Sequence, residues 1–265
     1  MSQKYYDTAV FGATFLGLGA ALGMDNVVVI EKGGLFGAEF VNSYKVCEKK
    51  VIEAKTSLGK DFLENLEKRG LVSTDGEIYP APAVYVLSAY LKEKPFDILL
   101  MTEVTDIKKA DDYYVIMVFH SNGFETIYAK HILDTTNLGI GHDKAKKHTI
   151  EKKLNTIMYN PSGAKLDGLS YNSQNALYTF TLPVEPHSSR YDAVELLCSM
   201  EKVFAEKQLQ ISSIASDFSY TMEPCTEVIE EQFIWIPSTA YANLVEAFEI
   251  GVQFAEEGRA WFYGK

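Results

Sequence analysis

The sequence predicts an α/β fold: a parallel sheet extended by a β-meander, plus a smaller α+β second domain. Three observations predict it. Two uninterrupted apolar strands near the start flank a glycine-bearing turn and a short helix, which implies a parallel sheet covered on both faces. Residues 97–134 are rich in strand patterns around an Asn122-Gly123 turn, and the chain ends in an amphipathic helix.

In order, Asp7–Phe11 reads as a buried strand, Leu16–Leu22 as a short helix and Asn26–Ile30 as a second strand. Glu53–Arg69 carries Leu58, Phe62 and Leu66 at helical spacing with Gly70 as its stop, and Ala83–Leu91 is a helix entered from Pro80 and Pro82. Strands follow at Ile98–Met101, Val104–Lys108, Tyr113–His120, Glu125–Ala129 and His131–Asp134, then a loop at Thr135–Gly141. From Glu151 to Cys225 the pattern is weaker, with extended chain at Ala176–Pro183 and a helix over Tyr191–Lys207. The last helix, Asn243–Glu257, lines up Leu244, Phe248, Gly251, Val252 and Ala255 on one face. This organisation assigns residues 1–150 and 226–265 to one discontinuous domain and 151–225 to a smaller substrate or cap domain.

Composition narrows the partners. A net charge of −11 argues against nucleic acid, whose phosphates are bound through Lys and Arg. A small anionic cofactor remains compatible, because backbone N–H groups at a helix N-terminus bind anions without basic side chains. Cys47, Cys198 and Cys225 never form a C-x-x-C pair, which suits a reducing, cytoplasmic setting. The uncharged run Thr8–Met24 holds four glycines and is short for a membrane span, so no membrane association is expected. A homo-oligomer or a partner subunit stays open.

The turn Gly12-Ala13-Thr14-Phe15-Leu16-Gly17 joins the first strand to the helix, and Glu31 ends the second strand. That is the Rossmann layout, in which glycines let backbone approach a pyrophosphate and an acid accepts a ribose hydroxyl. The middle glycine is replaced by Thr14, whose side chain is expected where phosphates normally meet bare backbone. Gly19 and Gly23 lower the intrinsic stability of the short helix.

Several segments in order resemble the FAD-dependent oxidoreductases of the glutathione-reductase structural class, especially two-domain bacterial flavoproteins without redox cysteines. Val27–Gly37 resembles that group's second strand, ribose-binding acid and following glycine turn; Ile132–Gly139 resembles its late strand and loop; Ile236-Pro237-Ser238 with Asn243 resembles the element that aims a helix N-terminus at the flavin. The resemblance implies FAD as cofactor, held by Gly12, Ala13, Thr14, Gly17, Glu31, Lys32 and Gly37. Val104 would contact adenine through its backbone, Asp134 and Gly139 would face the phosphates, and Asn243 the flavin. Where disulfide reductases carry a cysteine pair, this chain reads Phe40–Lys45, and Ala215–Thr221 lacks the arginines that the group tends to place there.

Outside these segments, His187 and Arg190 are candidates for binding an anionic substrate or carrying a proton, weighed against an exposed turn with a capping serine. Tyr178 is a candidate to orient substrate. His142 and His148 lie in a lysine-rich loop read as solvated, and no metal is assigned. The expected function is a flavoprotein oxidoreductase acting on a small organic substrate; the alternative is a non-catalytic binding or scaffold protein that keeps the fold with weakened or lost FAD binding. A nicotinamide cofactor alone fits the meander and last helix less well.

Overall fold

A computed structural model describes residues 4–47, 54–73, 76–92, 94, 96–161, 170–172 and 177–257. The chain begins β1 (Lys4–Phe11), α1 (Phe15–Leu22), β2 (Val27–Ile30), α2 (Ala38–Val41), α3 (Ser57–Lys68), α4 (Pro80–Leu91) and β3 (Asp97–Leu99). The meander follows as β4 (Glu103–Lys109), β5 (Tyr114–His120) and β6 (Gly123–Asp134). Then come α5 (Ala145–His148), β7 (Thr149–Tyr159), β8 (Ser170–Asn172), β9 (Leu177–Val184), α6 (Arg190–Ser199), α7 (Glu201–Glu206), β10 (Gln210–Ile214) and β11 (Ser219–Met222). The chain returns through β12 (Glu227–Glu230), β13 (Phe233–Trp235) and α8 (Leu244–Glu257).

The first sheet runs β12-β13-β6-β1-β2-β3, with β1, β2, β3, β6 and β13 mutually parallel where they pair. Its strands alternate between two cores, as period-2 geometry requires. Val10, Val27 and Val29 face a helical layer with Phe62 and Phe248; Ala9, Phe11, Val28 and Ile30 face the meander with Tyr114 and Ile116. The α/β class with a parallel sheet and meander is therefore the observed one.

Strand β6 joins the parts. Its first half pairs antiparallel with β5 and its last residues pair parallel with β13, while β1 runs along its other edge. The two short strands read at Glu125–Ala129 and His131–Asp134 are thus one. Lys130, the residue between them, is exposed and turns outward to Asp7 at 2.6 Å. Strand β3 ends at Leu99 rather than Met101 because Met101 takes φ +53° and donates its N–H to the Gly33 carbonyl. The predicted start of α3 at Glu53 lies outside the described residues; its cap is Thr56, whose hydroxyl accepts from Gly59 N–H.

A second sheet, β10-β7-β9-β8 with β11 also on β7, is backed by α6 and α7 through Leu154, Met158, Tyr178, Leu197 and Phe204. The single helix expected over 191–207 is two, divided at Met200, and Ser189 with Asp192 forms a capping box at the head of α6.

The glycines of α1 act against α8. A Cβ on Gly19 would lie 2.4 Å from the Phe248 carbonyl oxygen, and one on Gly251 would lie 2.0 Å from the Leu16 carbonyl oxygen. The low helix propensity noted for Gly19 is thus offset by backbone-to-backbone packing that only glycine permits. Gly251→Ala is expected to cost about 1–3 kcal/mol or more through overpacking, read as a lowered urea midpoint at unchanged slope.

Candidate functional site

The turn after β1 is built for a close approach. Gly12 takes φ +90°, and a Cβ on Gly17 would lie 2.5 Å from the Gly12 carbonyl oxygen. Thr14 does not project into a ligand space. It is the N-cap of α1, its hydroxyl accepting from Gly17 N–H at 2.9 Å and bonding Thr135 Oγ1 at 2.7 Å. Thr135 in turn donates to the Phe11 carbonyl, which locks the end of β6 onto the turn.

Two glutamates occupy further amides of the turn. Glu31 accepts from Ala13 N–H at 2.9 Å and from Gly33 N–H at 2.6 Å, and it stays partly exposed at the end of β2. Each of its oxygens keeps a second lone pair, so a ribose hydroxyl fits there. Lys32 is exposed and pairs with Glu103 at 2.6 Å. Gly37, at φ +62°, donates to the Ala13 carbonyl and packs on the Phe15 ring, which sets α2 against the head of α1.

Glu39, on α2, therefore reaches the helix terminus. Its Oε1 accepts from Phe15 N–H and from Ser238 Oγ, both at 2.8 Å, while Oε2 is sealed from solvent without a hydrogen bond among the described residues. Burial pushes this carboxyl up to about 7, against the hydrogen bonds from Phe15 and Ser238 that favour ionisation. The turn from Gly12 to Gly17 is buried throughout. A pyrophosphate does not fit at the head of α1 while Glu39 holds Phe15 N–H; the ribose position at Glu31 fits.

Sequence reasoning did not single out Glu39, Thr135 as a lock, or Lys45 and Asn155 between the sheets. Asn155 donates to the Ser43 and Tyr44 carbonyls and accepts from Thr181 Oγ1 at 2.8 Å. The Lys45 ammonium donates to the Thr239 and Tyr220 carbonyls and lies 5.5 Å from the Phe40 ring centre. Beside them, a cavity of about 370 Å³ lies between the second sheet and the head of α8, lined by Lys45, Lys153, Asn155, Thr181, Tyr241 and Glu246 among others. An apolar cavity of about 340 Å³ lies on the other side of the same segment, against Phe40, Tyr79, Ile157 and Thr179.

Asn243 caps α8, its Oδ1 accepting from Val245 and Glu246 N–H, while Glu246 accepts from Ala242 N–H. It is 2% exposed and does not present its side chain to the cavity. Asp134 is fully buried and turned into its own loop, accepting from Thr136 N–H and Oγ1 and from Ile140 N–H, with His142 Nε2 at 3.3 Å. A phosphate-facing carboxylate is not what this geometry shows. Gly139, at φ +74°, sits under the His142 ring. Val104 pairs with Val118 and lines a groove with Ile140 and Phe233 on the meander side.

The remaining candidates are not gathered at either cavity. Tyr178 is buried on the helix-facing side of β9, whereas Leu177, Thr179 and Thr181 point to the cavities, as strand alternation requires. His187 is exposed, and the Arg190 guanidinium donates to the Ala215 carbonyl. His142 and His148 are not solvated: both pack on Trp235, and His148 Nε2 lies 2.7 Å from Glu227. Among the described residues, no group of acids, histidines and cysteines is arranged to hold a metal, and no helix is long and apolar enough to cross a membrane.

No protein-family model matches the sequence, and no curated protein does. Solved structures match by shape. A p-nitrophenol 4-monooxygenase from Pseudomonas putida superposes with a TM-score of 0.67 at 14% identity, covering 98% of this chain and 80% of that one. An aklavinone-11 hydroxylase, crystallised with FAD and aklavinone, gives 0.61 at 14%, covering 98% and 63%. A glycine oxidase from Geobacillus kaustophilus gives 0.62 at 11%, covering 96% and 95%.

Glu39 leaves a signature in stability. A carboxyl raised in the folded state stabilises the protein only while protonated, so stability falls as pH rises from the ordinary carboxylate range through about 7. Glu249 acts with the opposite sign: burial raises its carboxyl, but hydrogen bonds from Thr56 overcome this and lower it, so its contribution disappears below the ordinary range. Chemical denaturation across pH 5–7.5 should show a decline of up to about 3 kcal/mol that Glu39→Gln flattens. At these low identities the likeness establishes architecture alone: the chain has the Rossmann-type α/β fold seen in the monooxygenase, the hydroxylase and the glycine oxidase.

Proposed function

We propose that this chain is a FAD-binding flavoprotein oxidoreductase acting on a small organic substrate. The observation that carries it is the Gly12–Gly17 turn with Glu31 at the end of β2, set in one fold with a cavity at the head of α8. Gly12, Ala13 and Gly17 supply the close turn, Glu31 the ribose acceptor with Lys32 beside it, and Gly37 the second turn. Residues 151–225 form the cap over the substrate, with Asn155, Thr181 and Lys153 facing it. A flavin, when bound, carries the redox chemistry; the protein binds, orients and excludes water.

Within this class the resemblance to two-domain bacterial flavoproteins without redox cysteines is the finer reading. Cys47 supports it, being buried, with its thiol pushed up to about 11 by burial and so poorly suited to a thiolate relay. The second reading, a non-catalytic protein that keeps the fold, is favoured by Glu39, which takes the Phe15 N–H at the head of α1, and by Asn243, which takes the Val245 and Glu246 N–H groups at the head of α8. Turnover with any donor and substrate would remove it.

After incubation with FAD and gel filtration, the protein is expected to retain flavin absorption bands; a colourless protein overturns the proposal. Glu31→Ala should weaken FAD about tenfold, the loss of one hydrogen bond to a charged group. Unchanged affinity, read by flavin fluorescence, would move the ribose elsewhere.

A further inference from the structure

We propose that the Glu39 carboxyl is an internal plug that fills the phosphate position at the head of α1, so that a dinucleotide enters only when this side chain swings out. The proposal rests on the FAD reading of the fold and adds a constraint to it.

The head of a helix preceded by a glycine turn is an anion site, because its first amides lack intrahelical partners. Here the position is already filled, and the chain itself provides the acceptor. Glu39 Oε1 receives Phe15 N–H and the Ser238 hydroxyl at 2.8 Å each, the two kinds of donor that a phosphate oxygen would receive. The second oxygen is sealed from solvent with no hydrogen bond among the described residues. A side chain placed only for stability would not leave a buried carboxylate oxygen unmatched, since such an atom destabilises the fold.

Position follows from the local chain. Gly37 N–H holds the Ala13 carbonyl at 2.8 Å, and a Cβ on Gly37 would lie 2.4 Å from the Phe15 ring, so the first turn of α2 opens directly onto the first turn of α1. Glu39 is the acidic residue of that turn. A pyrophosphate brought to Phe15 N–H would displace this carboxylate, and with Glu31 already on Ala13 N–H it would also meet a second acid. The carboxyl of Glu39 is raised toward neutrality by burial, consistent with a group held out of water.

The test compares wild type, Glu39→Ala and Glu39→Gln for binding of FAD, ADP and adenosine by titration calorimetry. Glu39→Ala should bind FAD and ADP at least tenfold tighter than wild type and leave adenosine, which has no phosphate, unchanged. Glu39→Gln keeps the shape and the acceptor and loses the charge, so its gain should be smaller. Wild type and Glu39→Ala binding FAD equally well would overturn the plug and leave the FAD reading standing. Equal tightening of adenosine would overturn it too, as general loosening. Binding of neither FAD nor ADP by any variant would overturn both. Should Glu39→Ala not fold, absence of any gain in Glu39→Gln decides against the proposal.

Discussion

Amide groups at the head of α1 must find partners whether or not a ligand is present, and the rest of the site is arranged around that requirement. Thr14 serves Gly17, Glu31 serves Ala13 and Glu39 serves Phe15. Each partner comes from a different segment. Meeting the requirement therefore pulls the end of β2 and the start of α2 together at the switch between β1 and β6, with Ser238 behind Glu39.

The close packing of α1 on α8 serves the same arrangement. Because Gly19 and Gly251 let the two backbones touch, α1 is held between the sheet and α8 with little room to shift. The second sheet is fixed differently, through polar side chains beside a small apolar contact of Met222 with Trp235. Asn155, Lys45 and the Tyr44 hydroxyl bridge to it, which leaves space for two cavities on either side of residues 42–47.

How much of this was legible in the sequence follows from physics. The strands β1 and β2 declared themselves because a strand buried on both faces is continuously apolar, and Glu31 was found because its spacing from Gly12 is fixed by the strand-helix-strand unit. Strand β7 stayed hidden because its cavity side carries Lys153 and Asn155, so apolar alternation fails. Tyr178 was misplaced relative to the cavities because a residue's face is decided by strand register, which β7 sets. Glu39 carried no signal: a helix of four residues has no periodicity, and nothing in a single sequence marks one glutamate among many for burial. Asp134 was found at the right strand end, but that its carboxylate turns inward depends on the loop to Ile140 closing over it.

The Asn155 bridge has a mechanical consequence. Its amide grips Ser43 and Tyr44, and Asp217 N–H grips the Asn42 carbonyl, immediately downstream of α2. The second sheet is thus tethered to the same short stretch of chain that carries Glu39. If the sheet tilts to admit a molecule beneath it, the tether draws on α2, and events under one sheet register as tension at the head of α1 in the other.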